Sequence, residues 1–172
     1  KIELFEEYTK LAEEIRKAII FEYYAESGRL GLKNQTAYIL SLFMDIAPEY
    51  RERTANDFAK LLKKDKNHLK TGFIGTPYIC RALSDNGYNE LAYTLLLNKD
   101  LPSWLYAVNM EATTVWERWN SVMPDGKMNP QGMNSLNHYA YGAIAEWMYR
   151  HMAGINETAP GFKKAVIRPQ VD

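Results

Sequence analysis

Residues 35–62 read QTAYILSLFMDIAPEYRERTANDFAKLL, and this stretch decides the fold class. Thr36, Leu40, Phe43 and Ala47 recur at spacings of three and four, the period of one helix face. Pro48 follows at once and suits the first turn of a new helix, where its fixed φ is already helical and its missing N–H is not needed. Beyond it Tyr50, Thr54, Phe58, Leu61 and Leu62 repeat the period. Two helices joined by so short a connection lie antiparallel, so the building unit is a helical hairpin.

The same pattern extends in both directions. Upstream, Leu4, Tyr8, Leu11, Ile15, Ile19 and Phe21 share one side of an amphipathic helix that ends near Ser27-Gly28. Downstream, Thr76-Pro77 starts another helix and Ser84-Asp85-Asn86-Gly87 is a turn. A helix over 90–97 follows, and Pro102 opens a short one toward Met110. Pro124, Asp125-Gly126, Pro130 and Gly132 make residues 111–133 mostly loop, and a last helix runs over 135–153 to Gly154. Only Lys164-Ala165-Val166-Ile167-Arg168 reads as a strand, stopped by Pro169. About seven helices and no repeat of fixed period give an all-α fold that is not a regular solenoid. Lys1 enters a helical pattern directly, and residues 162–172 read as a strand with nothing to pair with. The expectation is a piece of a longer polypeptide, with any export signal upstream.

Composition narrows the function. The chain has 172 residues, 47% of them hydrophobic, enough for one domain with a real core. Lys plus Arg and Asp plus Glu number 21 each, and this zero balance argues against nucleic acid or an anionic membrane as the main partner. A single cysteine, Cys80, excludes an intramolecular disulfide and a cysteine zinc cluster. No apolar run reaches the roughly 20 residues of a membrane helix. Aromatic residues reach 13%, a surplus that suits flat amphipathic contact surfaces as well as large cores.

Three stretches can carry chemistry. The first is Ala112-Thr113-Thr114-Val115-Trp116-Glu117-Arg118-Trp119, at the mouth of the long loop. A carboxylate against indole rings loses solvation, which raises its pKa unless a positive charge such as Arg118 compensates. A poised carboxylate is what general acid/base work requires, and indoles offer faces on which a sugar ring stacks. The plain alternative is two core tryptophans and a surface Glu117–Arg118 ion pair. The second stretch is Asn134-Ser135-Leu136-Asn137-His138-Tyr139-Ala140-Tyr141-Gly142, read as the start of the last helix. There Asn134, Asn137 and His138, beside free backbone N–H groups, can bind sugar hydroxyls or orient a water. Equally, Asn134 or Ser135 caps the helix and His138 is a packing residue. The third is Thr71-Gly72-Phe73-Ile74-Gly75-Thr76-Pro77-Tyr78, whose glycines allow close backbone approach and whose Phe73 and Tyr78 can line a pocket. It lacks the lysine and spacing of a phosphate loop and reads more simply as a tight helix entry. His68 and His151 have no partners at metal-ligand spacing and read as surface residues, and Cys80 reads as a buried inert thiol.

Taken in order, Asn34-Gln35-Thr36-Ala37, Thr71 to Pro77, Pro102-Ser103-Trp104, Ala112 to Trp119 and Ser135-Leu136-Asn137-His138-Tyr139-Ala140 closely resemble bacterial α-L-rhamnosidases of glycoside hydrolase family 78. The resemblance runs from Gln35 to Pro169. It implies part of an (α/α)6 barrel, six helical hairpins in a ring with the active site in a cleft at one end. Residues 1–160 would be the C-terminal part of that barrel, and 161–172 the start of a C-terminal β-sandwich domain. The family releases terminal α-L-rhamnose with inversion; no metal site is visible in these residues, and no cofactor is expected. By resemblance Glu117 matches the general base, His138 contacts sugar hydroxyls beside Asn137, and Trp116 and Trp119 stand near the pocket wall. The implied partners are a rhamnose-containing glycoside and the remainder of the same polypeptide, and members of the family are sometimes homodimers. The family's general acid lies in a motif of the type Asp-Gly-Trp-Gly-Glu-Ala-Gly-Asp-Trp, which this chain lacks. An inverting enzyme needs a second carboxyl roughly 6.5–9.5 Å from the first, so the isolated residues are expected to be inactive. Alternatives are another six-hairpin glycosidase and a non-catalytic carbohydrate-binding helical module.

Overall fold

A computed structural model of the chain describes residues 2–171. Lys1 and Asp172, the outer limits of the two expected units, lie outside the described residues. Seven α-helices run in chain order: α1 (Ile2–Tyr23), α2 (Gln35–Phe43), α3 (Arg51–Lys64), α4 (Ile79–Ser84), α5 (Asn89–Leu97), α6 (Trp104–Asn109) and α7 (Ile144–Trp147). Two antiparallel strands, β1 (Ile155–Ala159) and β2 (Lys164–Ile167), close the chain.

The central hairpins are those read from the sequence. Asn34 caps α2, its side chain accepting from the Ala37 N–H at 2.9 Å. Pro48 opens a 3-10 turn (Pro48–Tyr50) that leads straight into α3. α2 packs on α3 and α4 packs on α5, so that Ile39, Phe58, Leu62, Ile79, Leu83 and Leu95 are fully buried between them. Tyr38 stacks on Phe58 with ring centroids 5.9 Å apart.

One polar side chain ties this core to the connection after α3. Gln35 is buried; its amide donates to Asp65 Oδ2 and to the His68 carbonyl, both at 2.9 Å. Its carbonyl accepts from the Lys70 N–H at 2.9 Å. These three bonds hold residues 65–70 in place, which carries the chain on to the Thr71–Tyr78 segment. There Gly75 permits a close approach: a Cβ on it would lie 2.8 Å from Thr36 Oγ1 and 3.0 Å from Thr71 Cγ2.

α1 is the amphipathic helix that the spacing implies, and no described residue of it is buried, Phe21 being 87% exposed. Leu4, Tyr8, Ile15 and Ile19 line an open apolar groove with Met44 and Ile46. Three expectations are corrected. The last helix does not begin at Ser135: helical winding starts with the 3-10 turn Ala140–Ala143, continues through α7 and ends in a π-helical turn at Met148–Met152. The tail does find a mate, because β2 pairs with β1 in the register Ile155↔Ile167, Asn156↔Val166 and Glu157↔Ala165. The hairpin is pinned at Gly154, where φ is +68° and a Cβ would lie 2.0 Å from the Arg168 carbonyl carbon. The expected division at residue 160 falls in the turn of this hairpin. His151, finally, is buried rather than at the surface, and its Nε2 lies 2.9 Å from Asp85 Oδ1.

Asp85 joins α7's π-helical turn to the α4–α5 connection. Desolvation pushes its carboxyl up, but the hydrogen bond with His151 and the Arg81 guanidinium outweigh it and hold the group below its ordinary value. A depressed carboxyl stabilises the fold above its unfolded pKa and loses that contribution as pH falls through the folded one. In the full-length polypeptide Asp85→Asn should therefore lower the thermal midpoint at pH 7. The gap to wild type should narrow as pH is taken below about 4; a gap that widens there would contradict the assignment. Gln35→Leu strands the groups it satisfied and should cost about 2 kcal/mol, read as a lower denaturant midpoint.

Candidate functional site

The site is built from two non-helical segments laid side by side. The Glu117 N–H donates to the Ser135 carbonyl at 2.9 Å, and the His138 N–H donates to the Val115 carbonyl at 2.8 Å. Thr114 Oγ1 donates to the Leu136 carbonyl as well. These cross-links explain why Ser135 to Tyr139 do not wind into a helix: their backbone groups are already committed sideways. The N–H groups expected to be free are taken instead: the Ser135 N–H donates across to Glu117 Oε2 at 3.1 Å, and the Asn137 N–H donates to Ser135 Oγ within its own segment at 3.3 Å.

Trp116 and Glu117, adjacent in the chain, face different spaces. Glu117 lines a cleft of ≈ 520 Å³ together with Gly72, Phe73, Pro102, Trp119 and Tyr141. Trp116 is buried and faces a separate, more enclosed cavity of ≈ 250 Å³, among Leu96, Trp104, Val108 and Ile144. The sequence reading placed it near the pocket wall; here it backs the loop from the inside. Trp119 and Tyr141 border both spaces and form the partition between them. Their rings stack at 3.9 Å and 5°, Trp104 meets Trp119 edge-on at 5.5 Å, and the Trp104 indole N–H donates to the Tyr141 carbonyl at 2.9 Å. Ser103 caps α6 from a fully buried position, its Oγ accepting from the Tyr106 N–H at 3.1 Å, and so sets Trp104.

His138 is half-buried beside the cleft residue Phe73. Phe73 stacks on it at 4.8 Å and 17° and also meets Tyr141 at 5.3 Å. The Ala140 N–H points at His138 Nδ1 from 3.3 Å, so Nδ1 is the acceptor and the neutral ring carries its proton on Nε2. Asn137, next to it, is exposed.

Arg118 does not pair with Glu117. Its guanidinium reaches the Gly132 carbonyl at 3.5 Å, and no Glu117–Arg118 ion pair forms among the described residues. Its backbone is held by Ser121, whose Oγ accepts from the Arg118 N–H at 3.2 Å and donates to the Arg118 carbonyl at 3.1 Å. The rest of the loop is an ordered hairpin about Asp125-Gly126, with the Asn129 N–H on the Ser121 carbonyl at 2.8 Å. Burial pushes the Tyr141 hydroxyl up, with the Arg118 charge opposing it. Burial raises the Cys80 thiol as well, which leaves it unreactive. Among the described residues no group of three or more His, Cys, Asp or Glu side chains gathers to hold a metal.

Tyr141 is the cleft residue that periodicity did not single out. Tyr139-Ala140-Tyr141 offers two tyrosines with no sequence signal to separate them, yet Tyr139 is 87% exposed and Tyr141 8%.

Comparison with known proteins places these features in a wider setting. The sequence model of the bacterial alpha-L-rhamnosidase 6 hairpin glycosidase domain matches residues 2–152. An alpha-L-rhamnosidase of Streptomyces avermitilis is 43% identical over 164 residues, 95% of this chain and 16% of its own length. One from Alteromonas sp. (strain LOR) is 44% identical over 160 residues, 91% of this chain and 17% of its own. The crystal structure of the Streptomyces avermitilis alpha-L-rhamnosidase complexed with L-rhamnose superposes with a TM-score of 0.90 at 41% identity, over 96% of this chain and 16% of that one. The native alpha-L-rhamnosidase of Aspergillus terreus superposes with a TM-score of 0.91 at 31% identity, covering 96% of this chain and 20% of that one.

The inward position of Trp116 has a measurable consequence. Trp116→Ala in the full-length polypeptide empties a buried site and should cost about 3–5 kcal/mol of stability, lowering the thermal midpoint. An unchanged midpoint would show that the side chain does not support the loop.

Proposed function

This chain belongs to the bacterial α-L-rhamnosidase six-hairpin glycosidase family, and from that membership we propose that it carries the general base, Glu117, of an inverting glycosidase that releases terminal α-L-rhamnose. The observation that carries this reading is the cleft itself. Glu117 is the one carboxylate among its described lining residues, set beside a stacked aromatic pair on which an apolar sugar face can lie.

In the proposed reaction Glu117 takes a proton from water while the water oxygen bonds to the anomeric carbon. The glycosidic C–O bond breaks on the opposite face, and an acid elsewhere in the polypeptide protonates the leaving oxygen. Attack opposite the departing group inverts the anomer. His138 Nε2–H and the Asn137 amide would donate to sugar hydroxyls, and Trp119 with Tyr141 would hold the ring against water.

The chain spans 16% and 17% of the length of the first two curated relatives, so the acid and the rest of the barrel are assigned to the remainder of the polypeptide. The open apolar groove along α1 is, on this reading, the seat for part of that remainder. On this reading the isolated chain, with one carboxylate in its cleft, does not hydrolyse glycosides.

The test uses the full-length protein and an aryl α-L-rhamnoside, with the released anomer followed by NMR. Glu117→Gln keeps the shape and removes the base, and should reduce the rate about 10²–10⁴-fold. Near-full activity in that variant would end the assignment, while rhamnose binding without release by wild type would turn it toward a binding module. His138→Ala should weaken rhamnose binding in calorimetry; equal affinity would leave His138 a packing residue.

A further inference from the structure

We infer that Ser135 is a positioning residue for the Glu117 carboxylate, acting through its backbone N–H; the inference rests on the general-base reading of Glu117. Ser135 and Glu117 are bound twice. The Glu117 N–H donates to the Ser135 carbonyl at 2.9 Å, and the Ser135 N–H returns a hydrogen bond to Glu117 Oε2 at 3.1 Å. The closed loop of bonds fixes both ends of the glutamate, its backbone and its carboxylate, on one partner residue.

A donor on Oε2 restrains rotation of the carboxylate, so that Oε1, which has no partner among the described residues, is the oxygen that meets the water. A base held in one orientation avoids the loss of rate that a rotating one incurs. The donor is itself rigid. Residues 135–138 are tied to 114–117 by Thr114 on the Leu136 carbonyl and by the His138 N–H on the Val115 carbonyl. The serine hydroxyl plays a different part, accepting from the Asn137 N–H at 3.3 Å, so the side chain and the backbone donor can be tested apart. The other charged and titratable groups lining the cleft are Arg118, committed to the Gly132 carbonyl, and Tyr141; His138 lies behind Phe73.

The experiment removes one N–H. In the full-length protein, Ser135→Ala keeps the backbone donor and serves as reference. Its counterpart carries lactic acid at position 135, which replaces that N–H by an ester oxygen at constant shape. With an aryl α-L-rhamnoside, kcat of the ester protein should fall about tenfold with KM within about twofold of the reference. Ser135→Pro, which also lacks the N–H, should lower kcat in the same way. Equal kcat in the amide and ester proteins would overturn the positioning role. Glu117→Gln, assayed alongside, separates the two ideas: if it stays active the base assignment itself falls, and if it is inactive while the amide and ester proteins have equal kcat only the role of Ser135 falls.

Discussion

The pairing of two non-helical segments, 114–117 against 135–138, is the constraint on which the site depends. It commits the carbonyls of Val115, Ser135 and Leu136 and the N–H groups of Glu117, Ser135 and His138 to bonds across the loop. Because those groups are spent sideways, the last helix can start only at Ala140. On the segment so held, Trp116 turns into the interior and Glu117 into the cleft. One backbone arrangement thus anchors the loop with an indole and presents a carboxylate beside it.

The helical frame contributes rigidity around that pair. Gln35 satisfies three groups on residues 65–70 and so delivers the Thr71–Tyr78 segment, whose Phe73 forms one wall. Ser103 caps α6 and orients Trp104, which in turn braces Trp119 and bonds the Tyr141 carbonyl. The partition of Trp119 on Tyr141 is therefore held from behind by an element whose only sequence mark is Pro102-Ser103-Trp104. Buried polar groups that are fully partnered in this way fix geometry more than they add net stability.

Parts of this were legible in order and parts were not. The hairpin of α2 and α3 follows from apolar spacing and Pro48, because local period and local breaker agree. The amphipathic side of α1 was equally plain, but spacing says only that a face is apolar, not what covers it; in this structure it lines an open groove. The run from Ser135 looked helical because its polar residues resemble a cap, and the bonds to 114–117 override that local preference. The tail strand was visible as a β-branched run, but its mate at Ile155–Ala159 contains Asn156 and Glu157 and carries no strand pattern of its own. Arg118 looked like the partner of Glu117 because it is adjacent, and both border the cleft, yet its guanidinium is turned to the Gly132 carbonyl.

The sequence by itself determined the all-α class, the six-hairpin family and the residue types gathered near the site, because helical period and ordered motifs are local properties that survive without a partner. Tertiary structure alone decided which of Trp116 and Trp119 borders the cleft, which of Tyr139 and Tyr141 is buried, and which backbone N–H holds Glu117 Oε2. Those choices turn on hydrogen bonds and ring contacts between segments roughly twenty to seventy residues apart, where the energy of a pair depends on both members and neither sequence segment specifies it alone.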